Sequence, residues 1–277
     1  MRYEDAVASA PAGSERFRPA DLARLGRASM RRLLAPGPSA PPLDDVAAAL
    51  AGDPPTLLAI ASSLQLARGE RLLRLSRRRW PPAEREAAAR RVVRGAFWYL
   101  AYELESALWD RLARAERIAP ALLADLPADG ARVLEVAAGG GRLTAELAPR
   151  AAGLVAIEPC GPLRALLSRR LPGVAVAAGT GLELPVRAGW ADLVTSCATF
   201  GPHPPLGGDG VVAELERCCR PGGTVAVVSA EEPAWWQERG YDLRTYPEPP
   251  VQLDPDVEAF FGPAHPPSQL LYKRLAT

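Results

Sequence analysis

Thirteen residues, Arg132-Val-Leu-Glu-Val-Ala-Ala-Gly-Gly-Gly-Arg-Leu-Thr144, have the types and spacing most able to do chemistry in this chain. A short β-branched run carries the acid Glu135, meets three consecutive glycines and then turns helical. A strand that opens onto a helix through such a turn leaves bare backbone for a ligand to lie against, and the helix start behind it offers unpaired N–H groups. A small-molecule cofactor is the natural occupant. The dinucleotide fingerprint asks for glycine or alanine three residues after the second glycine, but that place is Thr144 counted from Gly139 and Arg142 counted from Ala137. A phosphate-cradling G-x-x-x-x-G-K-[ST] string is absent as well.

The spacing of the following runs narrows the choice. Gly153-Leu-Val-Ala-Ile157 ends in Glu158-Pro159, which places a carboxylate at the tip of the neighbouring parallel strand, where it can accept both hydroxyls of a ribose. A third run, 174–178, ends in Gly179-Thr180-Gly181. Leu184-Pro185 marks a turn, 191–196 a fourth strand, and about 209–219 a helix. Arg220-Pro-Gly-Gly then leads into a fifth strand reaching Ser229. Beyond about 230 the chain is Pro-rich, with a short helix near 254–261 and a final strand over 269–275.

This ordered series resembles the class I S-adenosylmethionine (SAM) dependent methyltransferases, over roughly 130 to 275. Val133-Leu-Glu-Val-Ala-x-Gly-x-Gly141 is similar to the family's first motif, Glu158 to its ribose acid, and Leu184-Pro185 with Asp192 to its "LPF…FD" segment. The stretch from Glu214 through Arg217 and Pro221 to Gly222 and Gly223 is similar to its "E…R-x-L-x-P-G-G" signature. The resemblance implies a doubly wound, mostly parallel Rossmann-like α/β sheet with SAM as cofactor. Two positions depart from the pattern. Ala137 stands where the family usually has the first glycine of the turn, and a negative φ at the strand end would let its methyl fit. Thr180 stands where an aspartate often receives the adenine amino group, and its hydroxyl can still accept a hydrogen bond.

Within that resemblance, Ala137, Gly139 and Gly141 form the floor of the cofactor site and Glu135 orients its methionine end. Glu158 holds the ribose, Pro159 presses on the adenine face, Thr180 and Gly181 line the adenine edge, and Ser196 borders the reacting end. Cys197 and Phe200 line the acceptor side, their small or apolar character suiting a compact organic molecule. His203, directly after the fourth strand, is the candidate general base, given its near-neutral titration. A base is optional, because the sulfonium already activates the methyl and the protein chiefly supplies placement in a dry pocket.

Composition bounds the rest. The 277 residues, 48% hydrophobic with net charge +1, suit one large or two small soluble domains, and nothing global steers the chain to nucleic acid or an anionic membrane. One lysine, Lys273, stands against 32 arginines. The cysteines Cys160, Cys197, Cys218 and Cys219 have no C-x-x-C spacing, so neither zinc nor a disulfide framework is suggested. With no signal-like N-terminus and no membrane-spanning run, a reducing cytoplasm is the expected compartment.

Before about Asp129 almost everything reads as helix, so residues 1–128 are expected to be a helical extension or cap and 129–277 the cofactor-binding domain. Helices are expected over about 19–34, 43–51, 55–68 and 82–117. In the last, Val93, Phe97, Leu100, Leu104 and Leu108 make one apolar stripe, while Trp98, Tyr102 and Trp109 fall on the opposite side, either as buried packing or as a roof over the substrate. Ten arginines against three glutamates in 68–94 invite an RNA reading, but the interleaved leucines describe a solvated amphipathic face better. The expectation is methyl transfer to a small organic acceptor. The alternatives are RNA methylation through the arginine-rich helices and a non-catalytic scaffold that kept the fold.

Overall fold

A computed structural model describes residues 100–202 and 206–277, with scattered positions between 48 and 98. The chain divides into two compact units, Met1–Glu105 with Asp254–Pro263, and Ser106–Leu253 with Ala264–Thr277. The division at Glu105 lies upstream of the Asp129 boundary expected from composition. The helices expected over 19–34 and 55–68, most of 43–51, and most of the arginine-rich span 68–94 lie outside the described residues.

The expected 82–117 helix is not continuous. A separate helix α1 runs over Ser106–Ala115 in the second unit, and before it, in the first unit, a π-helical turn at Leu100–Leu104 is followed by a bend at Glu105. A π turn shifts the 3.6-residue phase, so a stripe counted through it no longer marks one face. Trp98 and Tyr102 belong to this unit and stack with ring centroids 5.5 Å apart.

The second unit is built on a seven-stranded sheet: β1 Arg132–Val136, β2 Gly153–Ile157, β3 Ala175–Ala177, β4 Ala191–Cys197, β5 Cys219–Val228, β6 Asp242–Thr245 and β7 Gln269–Arg274. Their order is β3-β2-β1-β4-β5-β7-β6, parallel from β3 to β5, with β7 antiparallel to both neighbours. Helices α2 (Pro120–Asp125), α3 (Arg142–Leu147), α4 (Gly161–Arg170), α5 (Gly208–Cys218) and α6 (Pro233–Gln237) complete it, while α7 (Pro255–Phe261) belongs to the first unit.

Both faces of the central strands are covered, which explains why those strands are largely apolar rather than regularly alternating. Leu134, Val136, Val194, Val225 and Val227 point into a core shared with Val211 and Leu215 of α5 and with Trp236. Val133, Leu154, Leu193 and Val228 point the other way, onto Leu122 of α2, Leu143 and Leu147 of α3, and Leu167 of α4.

At the amino ends of the strands, the residues of the "FD" and "E…R" resemblances act as clamps. Asp192 accepts from Arg132 N–H at 2.8 Å and from the side chains of Arg132 and Arg220, which hold its carboxyl well below the usual range. Arg217 spans Glu214 and the carbonyls of Val186 and Leu184, and Glu214 accepts Leu184 N–H at 2.8 Å. On β7, Lys273 donates to Glu216 at 2.9 Å and to the Arg239 carbonyl at 3.0 Å.

Candidate active site

Strand order reverses between β1 and β4, and in open α/β sheets ligands lie in the crevice at the carboxyl ends beside such a switch. There β1 stops at Val136, and Ala137 takes φ +58°. The negative φ expected for it is not observed, because the chain must reverse within one residue of the strand end. The methyl therefore sits in the left-handed region at a cost of about 1–2 kcal/mol. Ala198 after β4 and Ser229 after β5 share this conformation, at +53° and +47°.

The glycines of the turn differ in purpose. A Cβ on Gly141, at φ +94°, would lie 2.5 Å from Leu167 Cδ1, so its absence lets α3 settle on α4. A Cβ on Gly139 would meet only Trp109 Nε1, at 3.9 Å. That is the open side of the turn.

Glu158, 4% exposed after β2, accepts Gly139 N–H on Oε2 and Cys160 N–H on Oε1, both at 2.8 Å. The acid expected at the ribose thus also fastens the second strand end to the glycine turn. Pro159 beside it is exposed, its carbonyl bonded by Arg164 at 2.5 Å.

After β3, a Cβ on Gly179 would strike Ile157 and Pro185 at 2.8 Å, and one on Gly181 the Phe200 ring at 2.7 Å. Thr180 between them is exposed, its carbonyl accepting Glu183 N–H at 3.2 Å. Phe200, expected on the acceptor side, turns its ring onto Gly181 within the core. Ser196 is fully buried, and its hydroxyl has no hydrogen-bond partner among the described residues.

Behind the turn lies a charged cluster. Glu135 is 1% exposed, and its Oε2 has no hydrogen-bond partner among the described residues. Burial pushes its carboxyl up to about 8, with Thr144 and Arg142 pulling the other way and Glu158 adding to the rise. Arg142 donates to Glu116 Oε2 at 3.1 Å and to Cys197 Sγ at 3.2 Å. Burial works against its charge, yet Cys197 and Glu116 more than offset it. Burial likewise raises the Cys197 thiol, so at neutral pH it is a hydrogen-bond acceptor rather than a thiolate nucleophile.

His203 lies outside the described residues. His265 is exposed, and its backbone N–H donates to Glu116 Oε1 at 2.8 Å. Reading the sequence missed Arg142, Glu116, Asp110 and Arg170. Arg142 carried a signal, since it directly follows the third glycine, but its partners are 26 and 55 residues away.

The strand order and glycine turn define a Rossmann-like α/β cofactor-binding unit. Residues 134–227 match the family model described as "Methyltransferase domain". That segment is thus similar to methyltransferase domains. The chain is 31% identical over 118 residues to an uncharacterized methyltransferase of Mycobacterium tuberculosis, covering 42% of this chain and 47% of that protein. It is 35% identical over 128 residues to a demethylmenaquinone methyltransferase of Parafrankia, covering 39% and 50%. The chain thus spans about half the length of the curated relatives it matches. Among solved structures, a SAM-dependent methyltransferase of Aquifex aeolicus aligns at TM-score 0.46 with 15% identity, over 61% of this chain and 96% of that one.

Proposed function

We propose that this chain transfers a methyl group from SAM to a small organic acceptor at the carboxyl edge of β1, β2 and β4. The observation that carries this reading is the union of the two strand ends: the Glu158 carboxylate bonded to Gly139 N–H at the open side of the glycine turn. The residues fit the cofactor on two counts. Among the described residues, the face of Gly139 is free of side chains up to Trp109, and a buried carboxyl oxygen of Glu135 behind the turn has no hydrogen-bond partner.

On this reading Glu158 receives the ribose hydroxyls while holding the turn, and Pro159, Thr180 and Gly181 bound the adenine. Ala137, Gly139 and Gly141 give the floor, and Glu135 accepts from the methionine end. SAM supplies an electrophilic methyl on a sulfonium, so the chain's task is to place an acceptor in line and keep water out. Cys197, half-buried at the end of β4, offers small, uncharged surface for that approach, and His203 is the candidate to receive the acceptor's proton. The relative named a demethylmenaquinone methyltransferase supports a small organic acceptor.

Calorimetric titration with SAM and with S-adenosylhomocysteine tests the reading on the wild type and on Glu158→Gln, which keeps the shape of the side chain. Micromolar binding by the wild type, weakened at least about tenfold in the variant, is expected for the loss of charge-assisted bonds. No heat with either ligand overturns it.

A further inference from the structure

Three elements distant in sequence are tied together on the outer side of the glycine turn. Arg170, the last residue of α4, donates to the Gly140 carbonyl and to Asp110 Oδ2, both at 2.5 Å. Asp110 on α1 is 5% exposed and is also ion-paired with Arg114 at 3.2 Å. Its other oxygen, Oδ1, has no hydrogen-bond partner among the described residues and abuts Gly140 so closely that a Cβ there would clash with it. Only glycine allows this approach. The next side chain back, Trp109, brings its indole Nε1 to the open side of Gly139.

We propose that Asp110, Arg170 and the Gly140 carbonyl form a latch that sets Trp109 as a wall of the cofactor site, Trp109 contacting the cofactor and Arg170 acting as its positioning residue. This rests on the reading of the glycine turn as the SAM site. The chemistry suits the placement. The indole brings its N–H, a donor for an oxygen of the ligand, nearest to Gly139, while its ring face can attract a cation, and the sulfonium and ammonium of SAM are both cationic. A wall hung on a short helix needs fixing at its root, and a guanidinium fork meets two acceptors at once, which one ammonium on a flexible stem does not. The latch also explains why a buried aspartate is kept beside the turn although one of its oxygens goes unbonded.

The test is a double-substitution cycle on the full chain with Arg170→Lys and Trp109→Leu, read by calorimetric titration with SAM and with S-adenosylhomocysteine beside thermal melts. Lysine keeps a positive charge for Asp110, so the fold survives while the bridge to Gly140 is lost. Arg170→Lys is expected to weaken SAM binding about tenfold, the scale of one charge-assisted bond. Trp109→Leu is expected to weaken SAM more than the uncharged-sulfur product. The double variant is expected to bind no worse than Trp109→Leu, because Arg170 acts through the indole. Asp110→Asn opens the latch from the other side and carries the cycle if Arg170→Lys does not fold. Fully additive losses, or unchanged affinity in a folded latch variant, overturn the latch while leaving the SAM site standing. A wild type that binds neither ligand removes the site and the latch together.

Discussion

Replacing Glu135 by glutamine should stabilise the protein by an amount that grows with pH. The carboxyl sits at about 8 in the folded chain against an ordinary 4.5. Between those values the folded state keeps a proton that the unfolded state has released, so stability must fall as pH rises through the window. Each unit of difference is worth about 1.4 kcal/mol, which sets an upper bound of about 5 kcal/mol above the folded value. Water admitted to the cluster on ionisation should relax this to about 2 kcal/mol, or roughly 4–8 °C in melting temperature for a unit of this size. Glutamine fills the same space without a charge to bury. Calorimetric melts of both proteins near pH 5, 7 and 9 should show a gap close to zero at the low end, widening toward the high end. A gap independent of pH would refute the reasoning, because the burial of Glu135 would then not govern its charge. The same variant should lose SAM affinity, so stability and binding would move in opposite directions.

Ala137→Gly should raise the melting temperature by about 1–3 °C, since relief of the left-handed alanine outweighs glycine's greater freedom in the unfolded chain. Gly141→Ala should cost at least about 2 kcal/mol in denaturant unfolding, combining its φ of +94° with the Leu167 contact. Asp192→Asn should lose about 1–2 kcal/mol at neutral pH by releasing Arg132 and Arg220. Because the folded carboxyl is depressed below its ordinary 3.8, that stabilisation holds above 3.8 and fades only as acid titration passes below it.

The parallel half of the sheet was legible because its strands are short, largely apolar runs bounded by turn residues, and covered strands need no alternation. The antiparallel edge was less so. Strand β7 was expected from its own apolar residues, but β6, Asp-Leu-Arg-Thr, lies at the rim with little buried and leaves almost no pattern. Helix α1 was merged with the residues before it because a π turn keeps helical composition while shifting phase. The candidate cofactor positions were drawn from local spacing, whereas the sign of φ at Ala137 and the ties from Arg142 to Glu116 and from Arg170 to Asp110 depend on tertiary approach that no local window contains.

Lys273 is the chain's only lysine, and its ammonium is engaged by Glu216 and by the Arg239 carbonyl from within the antiparallel strand β7. Amine-reactive reagents can therefore attach at one side chain alone, besides the α-amino group, and only when that ammonium leaves both contacts. The rate at which an amine-reactive dye modifies that position therefore reports how often the contacts of Lys273 to Glu216 and Arg239 open in the antiparallel part of the sheet, distinct from events at the glycine turn. A ligand that slows the dye would be tightening that region, and one that leaves the rate unchanged would be acting away from it.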